Sequence, residues 1–155
     1  MKIIFLDFDG VMDTVEYCHF LESMGMPICD RQGTIFDSHS VFNLKRIIDA
    51  TGAVVVITSD WKYLMSYKDI IEMWEERDLP GCVIDVTPNC KKRGDEIDVW
   101  LSECKEECQY VIIDDMWAEN FNEHQVSHLV VTNPYYGIED DTAERAIKIL
   151  NKPLC

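Results

Sequence analysis

The chain has 155 residues, 29 of them acidic and 14 basic, so its formal net charge is −15. This length suits one domain, and the acidic surface disfavours nucleic acid as a partner because polyanions are repelled. The first residues, a lysine in a very short apolar run, match neither a signal peptide nor a membrane span. We therefore expect a single cytoplasmic domain over residues 1–155 with no membrane partner, while the oligomeric state stays open.

Short apolar runs recur along the chain, and each is unbroken rather than alternating with polar residues. Strands buried on both faces, as in a parallel sheet, have this pattern. Segments with helical spacing lie between the runs, which predicts an α/β layered domain. The predicted strands are Lys2–Leu6, Ala53–Ile57, Cys82–Ile84, Tyr110–Ile113 and Leu129–Val131. The predicted helices lie around Leu44–Ile48, Leu64–Trp74, Ile97–Cys104 and Ala143–Leu150.

Residues 13–40 interrupt this alternation with a long stretch of weak periodicity that contains turn-forming glycine and proline residues. A long irregular insertion in a compact domain is usually a lid, a binding loop or a flexible segment. We predict a small flap or minimal cap over the site. A surface loop packed by its own Phe20, Leu21 and Phe36 is an equally good interpretation.

The residues that follow the apolar runs carry the functional signal, because ligands of a parallel sheet collect beyond the carboxyl ends of its strands. Each polar group alone has an ordinary explanation, such as a turn, a helix cap or a solvated surface. Their joint occurrence at one predicted sheet edge favours a site. The groups are Asp7 with Asp9, Thr58 with Ser59, Lys92 with Arg93, and Asp114 with Asp115.

These residue types together suit phosphoryl transfer. Converging carboxylates require a counter-charge, and hard oxygen ligands select Mg²⁺. Asp7 and Asp9 would place a nucleophile beside a proton donor, and their coupling would decide which of them is protonated. The hydroxyl groups of Thr58 and Ser59, together with a lysine or arginine, would hold the remaining phosphate oxygens.

This order of motifs resembles the haloacid dehalogenase (HAD) superfamily of phosphohydrolases, and the stretches that carry it are FLDFDGV, VVVITS, KKRGDEI and VIIDD. The resemblance covers most of the chain. It implies a five-stranded Rossmann-like sheet with helices on both faces and a small cap inserted after the first strand. It also implies that Asp7 forms an aspartyl-phosphate and that Asp9 is the general acid and base. The implied Mg²⁺ ligands are Asp7, the backbone carbonyl of Asp9, and Asp115 with Asp114 in support.

The stretches VVVITSDWK and RGDEIDVWL also resemble small HAD domains related to RNA-repair proteins, which tend to have Ser-Ser-Trp-Arg where this chain has Ser59-Asp60-Trp61-Lys62 preceded by Thr58. Here Asp60 adds negative charge near the phosphate pocket, and Lys62 replaces an arginine fork. For the phosphate-binding cation that the family implies, Lys92 is the first choice and Arg93 the second. Trp61 and Trp117, each just beyond a site motif, would pack under the flap or stack on a substrate ring.

The leading hypothesis is a Mg²⁺-dependent phosphomonoester hydrolase, because a dehalogenase would not need the second acid at Asp9. The alternatives are a phosphomutase, which needs a larger cap to exclude water, and a catalytically inactive phosphate-binding or regulatory module. The negative charge favours a phosphorylated small molecule or a nucleotide as the substrate. A small cap leaves an open site that suits a phosphorylated nucleic-acid end, and the sequence leaves this conflict open.

Overall fold

A computed structural model describes residues 1–153, so the last two residues of the predicted domain lie outside the described part. The described strands are β1 (Lys2–Leu6), β2 (Cys29–Asp30), β3 (Gly33–Thr34), β4 (Val54–Ile57), β5 (Val83–Val86), β6 (Gln109–Asp114) and β7 (Leu129–Val131). The described α-helices are α1 (Val15–Ser23), α2 (Ser38–Thr51), α3 (Tyr67–Glu76), α4 (Arg93–Glu103) and α5 (Asp140–Leu150). Within residues 1–153, none of the helices has the length and apolar character that a membrane crossing requires.

The central sheet has five parallel strands in the order β5-β4-β1-β6-β7. The last residue of β1, Leu6, pairs with Ile57 of β4 on one side and with Ile113 of β6 on the other. The next residue along each of these three strands therefore emerges at the same height of the sheet edge. Those residues are Asp7, Thr58 and Asp114.

Helices cover both faces of the sheet, which confirms the predicted α/β layering. Side chains alternate between faces along a strand, and Ile4 and Leu6 point into a core shared with α2, α3 and α5. Ile3 and Phe5 point to the other face, where α4 supplies Ile97 and Trp100. Burial of each of these large apolar side chains stabilises the fold by roughly 1.5–3 kcal/mol.

The insertion at residues 13–40 is more regular than the sequence indicates. Helix α1 is capped by Thr14, whose hydroxyl oxygen accepts a hydrogen bond from the backbone N–H of Tyr17 at 3.1 Å. Strands β2 and β3 form a small antiparallel hairpin. The expectation of an irregular stretch was therefore wrong here, because α1 buries only Leu21 and so shows little periodicity, and each hairpin strand has two residues.

The third helix begins later than its apolar spacing predicts. Ser66 forms a capping box with Asp69, in which the Ser66 hydroxyl accepts from the Asp69 backbone N–H at 3.2 Å and the Ser66 backbone N–H donates to the Asp69 carboxylate at 2.9 Å. Leu64, which the prediction placed in the helix, precedes this cap and is 90% exposed. The cap therefore overrides the apolar pattern at this end.

Candidate active site

Asp7 directly follows β1 and is buried at the carboxyl edge of the sheet. Its Oδ1 accepts a hydrogen bond from the backbone N–H of Phe8 at 2.7 Å, and the hydroxyl of Ser59 also donates to the carboxylate. Burial, followed by the negative charge of Asp114, raises the pKa of Asp7 to about 7. At neutral pH this carboxylate therefore needs a nearby cation to stay fully ionised.

Asp7, Asp114 and Asp115 form an acidic cluster, in which one carboxylate oxygen of each lies within 4.8 Å of the others. Burial is the main cause that raises the pKa of Asp114 to about 6 and also raises the pKa of Asp115. Oδ1 of Asp114 accepts from the Met116 backbone N–H at 2.9 Å, whereas its buried Oδ2 has no hydrogen-bond partner among the described residues. A buried oxygen in this state is costly unless a cation binds it. The cluster therefore fits a metal ion with a preference for hard oxygen ligands.

Arg93, the first residue of α4, places a buried positive charge against this cluster. Its guanidinium lies 4.0 Å from Oδ1 of Asp7 and 3.8 Å from Oδ2 of Asp114, and its side chain is only 4% exposed. It donates hydrogen bonds to the backbone carbonyl of Thr58 and, at 3.2 Å, to the carboxylate of Asp60. One guanidinium offsets only part of the negative charge of three clustered carboxylates, which leaves the cluster attractive to a further cation.

The hydroxyl of Thr58 lies beside this charged group and is buried without a hydrogen-bond partner in the described residues. The Thr58 backbone N–H donates to the carbonyl of Leu6 at 2.9 Å, which fixes the residue at the strand end. Ser59 is also buried, and its hydroxyl caps the short helical turn Asp60–Tyr63. The unpaired hydroxyl of Thr58 can donate to an anionic oxygen held next to Asp7.

The two lysines considered from the sequence have partners away from the acidic cluster. Lys92 donates from Nζ to the side-chain oxygen of Asn122 at 3.3 Å. Lys62 forms a buried ion pair with Glu96, with its Nζ 2.6 Å from Oε2, and also donates to the hydroxyl of Thr87 at 2.9 Å. A direct contact of Lys92 with phosphate stays a prediction, whereas Arg93 already lies at the cluster.

Gly10 makes the turn that returns the chain toward the cluster after Asp9. Its φ is 71°, and a Cβ at this position would lie 2.5 Å from Oδ2 of Asp115, so both the backbone conformation and the available space require glycine. Its carbonyl accepts a hydrogen bond from the hydroxyl of Thr132 at 2.8 Å. Asp9 is exposed at this turn, and its charge adds to burial in raising the pKa of Asp115. Coordination of a metal by the Asp9 carbonyl stays a prediction.

Two further residues of the site were not among the predicted site residues. Asp13 is buried and accepts from the Gly10 backbone N–H at 3.1 Å, and burial raises its pKa to about 7. Asp13 follows Asp9 closely in the sequence, after the apolar residues Val11 and Met12, and this position could have identified it as a further acid near the site. Trp61 packs beside the hairpin, as one interpretation of the sequence had it, and its indole Nε1–H donates to Oδ1 of Asp9 at 3.0 Å. A hydrogen bond between two side chains that are 52 positions apart cannot be recognised from a single sequence.

A family model described as the HAD domain in Swiss Army Knife RNA repair proteins matches residues 3–143. The matched range runs from β1 into α5 and includes the acidic cluster, Thr58 and Arg93. No curated protein and no solved structure matches the chain.

Proposed function

The chain belongs to the HAD domain family found in Swiss Army Knife RNA repair proteins, and from this premise we propose that it is a Mg²⁺-dependent phosphomonoester hydrolase that uses Asp7 as its nucleophile. The single observation that carries the proposal is the buried acidic cluster of Asp7, Asp114 and Asp115, in which Oδ2 of Asp114 has no hydrogen-bond partner among the described residues. Such a cluster is costly on its own, so its cost is explained by a bound cation and a phosphate ester.

In the first step, a carboxylate oxygen of Asp7 attacks phosphorus, and the bond from phosphorus to the ester oxygen breaks. Asp9 gives a proton to the departing alkoxide, so the alcohol leaves neutral. Thr58 donates a hydrogen bond to a phosphoryl oxygen, and Arg93 supplies positive charge beside it. Asp7, Asp114 and Asp115 would hold a Mg²⁺ ion, which would supply further charge stabilisation to the phosphoryl group.

In the second step, water attacks the aspartyl-phosphate and Asp9 takes a proton from that water. The bond between Asp7 and phosphorus breaks, which releases inorganic phosphate and regenerates the carboxylate. The exposed position of Asp9, at the turn beside the buried cluster, suits a group that exchanges protons with a leaving group and with solvent.

Hydrolysis is favoured over phosphoryl transfer to a second hydroxyl because the insertion supplies little cover. It consists of one nine-residue helix and a hairpin of two-residue strands. A phosphomutase needs a cap that keeps water from the aspartyl-phosphate. A catalytically inactive phosphate-binding module is the second candidate, and it is distinguished by the absence of turnover.

A nucleoside phosphate is the proposed substrate class. A cavity of about 630 Å³ adjoins the cluster and is lined by Asp115, Trp117, Thr132 and Asn133. Trp117 is 73% exposed there and offers an indole face on which a base can stack. The family match favours the end of an RNA strand, whereas the net charge of −15 favours a free nucleotide. Both carry the same phosphorylated nucleoside.

The test measures release of inorganic phosphate from nucleotides, 3′- and 5′-phosphorylated oligonucleotides, sugar phosphates and phosphopeptides, with Mg²⁺ and with a chelator. We expect release from nucleoside phosphates only with Mg²⁺ and at least about 1000-fold less release with Asp7→Asn. The control is Asp141→Asn, an exposed acid of α5, which should leave the rate unchanged. Release that survives chelation, or equal activity of Asp7→Asn, would contradict the mechanism, and no release from any compound would favour the inactive module.

A further inference from the structure

Trp61 connects the proposed acid and base residue to the inserted hairpin. Its indole Nε1–H donates to Oδ1 of Asp9 at 3.0 Å. We propose that Trp61 is a positioning residue that holds the Asp9 carboxylate in its working orientation, and that the β2–β3 hairpin in turn holds Trp61. The role in turnover rests on the proposed function, whereas the contact itself can be tested without activity.

The indole ring is fixed on several sides. Its centroid lies 5.3 Å from the ring of Phe8, in an edge-to-face arrangement, and 5.6 Å from the ring of Phe36. The guanidinium of Arg77 lies 5.9 Å from the indole. Phe8 and Phe36 are themselves buried in the core. A ring packed in this way has few alternative rotamers, so its N–H points in a defined direction.

The hairpin touches the indole through Gly33. A Cβ built on Gly33 would lie 2.7 Å from the Cη2 atom of Trp61, so the hairpin backbone lies directly against the ring. The hairpin is anchored by Arg77 at the end of α3, which donates to both carboxylate oxygens of Asp30, at 2.8 and 3.0 Å, and to the carbonyl of Thr34 at 3.0 Å. The insertion is therefore tied to α3 and supports the indole.

Asp9 needs this support because it is exposed, and an exposed carboxylate samples several rotamers. The carboxyl group of Asp13 also interacts with that of Asp9, so Asp9 has an acidic neighbour besides the indole N–H donor. The indole accepts no hydrogen bond from Asp9 and acts only as a donor. It therefore favours the orientation in which Oδ1 faces Trp61 and the carboxylate stays at the edge of the cluster.

The kinetic test uses Trp61→Phe, which keeps an aromatic ring and removes the N–H donor. We expect kcat to fall about 10- to 100-fold with little change in KM. The variant misplaces the Asp9 carboxylate, which acts in the chemical steps, and leaves the residues that bind the substrate in place. In the Asp9→Ala background, Trp61→Phe should cause no further loss, since Trp61 acts through Asp9. The matched control is Trp100→Phe, which removes an indole bond of 2.8 Å to Asp85 on the α4 side of the sheet and should leave kcat unchanged.

A readout that needs no activity is the indole N–H signal in ¹H–¹⁵N NMR spectra. The chain has four tryptophans, and the signal lost in Trp61→Phe identifies Trp61. Asp9→Ala should shift this signal and leave that of Trp100 in place. If wild-type protein releases no phosphate, the proposed function fails while this spectrum still decides whether the contact exists.

The hairpin is tested with Gly33→Ala, which adds a methyl group against the indole and should shift the Trp61 signal and lower kcat. Gly25→Ala is the matched control, because Gly25 also has positive φ, 67°, but a Cβ there meets nothing within 4 Å. It should leave both unchanged. The positioning role would be overturned if Asp9→Ala left the Trp61 signal unchanged. It would also be overturned if the losses of kcat from Trp61→Phe and Asp9→Ala were additive. If Gly33→Ala left the Trp61 signal unchanged, the hairpin would have no part in positioning Trp61.

Discussion

At the scale of single residues, the candidate site is a balance of buried charge. Asp7 and Asp114 are buried carboxylates whose pKa values burial raises to about 7 and about 6. Arg93 lies about 4 Å from both and is buried with them. Without this cation, two buried acids would face each other in a medium of low dielectric constant. The same guanidinium charge therefore stabilises the fold and contributes to phosphate binding.

We therefore expect Arg93→Ala to lower the free energy of unfolding by about 3–5 kcal/mol in metal-free protein and to lower kcat/KM at least about 100-fold. Lys92→Ala, at the neighbouring position, should lower the free energy of unfolding by no more than about 1 kcal/mol, because within residues 1–153 its side chain forms only the hydrogen bond to Asn122. Urea denaturation and phosphate release measure the two effects. If Lys92→Ala lowered kcat/KM more than Arg93→Ala does, Lys92 would be the phosphate-binding cation, as the sequence predicted.

At the scale of elements, strand register decides which residues meet. The apolar runs predicted the central strands, and the polar residues after them could be assigned to one edge because parallel strands end together. Pairing of Leu6 with Ile57 and Ile113 then places Asp7 between Thr58 and Asp114. Arg93 could not be preferred over Lys92 in this way, since neighbouring residues at a helix start point about 100° apart around the helix axis, and the exact start of the helix decides which of them faces the cluster.

The parts that the sequence did not reveal depend on short elements and long-range contacts. Helix α1 has one buried residue, Leu21, and the hairpin strands are two residues long, so neither produces a period. The start of α3 followed its cap at Ser66 rather than the apolar spacing. Contacts such as the one between Trp61 and Asp9 exist only after folding and need the structure.

The buried ion pair between Lys62 and Glu96 joins the turn after β4 to α4. The two side chains are 3% and 4% exposed. We expect Lys62→Met to lower the free energy of unfolding by about 3–5 kcal/mol, because the buried carboxylate of Glu96 loses its closest cation and keeps the guanidinium of Arg93 only at 4.0 Å. The control is Lys68→Met, whose exposed pair with Glu72 should contribute less than about 0.5 kcal/mol.

Urea denaturation of the two lysine variants gives the comparison. The double variant Lys62→Met with Glu96→Leu should recover much of the loss, since the buried carboxylate that lost its closest cation is then absent as well. Equal effects of Lys62→Met and Lys68→Met would show that the buried pair does not connect these elements as described.

At the scale of the whole molecule, the raised pKa values couple folding to pH and to metal. Asp7, Asp13 and Asp114 have folded pKa values of about 7, 7 and 6, above those of the unfolded chain. The metal-free folded state therefore binds more protons, and its stability falls as pH rises through about 6 to 7. The net charge of −15 acts in the same direction.

Metal-free protein should therefore melt at least about 2 °C higher at pH 5.5 than at pH 8, and Mg²⁺ should raise the melting temperature more at pH 8, where the carboxylates are ionised. Thermal melts with chelator and with Mg²⁺ at the two pH values measure this. Asp7→Asn should weaken both trends, because it removes one of the acids. A metal-free protein that is more stable at pH 8 would contradict the charge balance described for the site.

The central claim is that Asp7 carries the phosphoryl group during turnover, and trapping that group is its most direct test. In Asp9→Asn the second step loses its base, whereas p-nitrophenyl phosphate still allows the first step because its phenolate leaves without a proton from Asp9. The aspartyl-phosphate should therefore accumulate during reaction with this ester and Mg²⁺. Mass spectrometry of the acid-quenched protein should then find one added phosphoryl group, located on Asp7 and absent from the variant in which both Asp7 and Asp9 are replaced by Asn. Phosphate release by wild-type protein with no phosphoryl group on Asp7, or with one on another residue, would contradict the account.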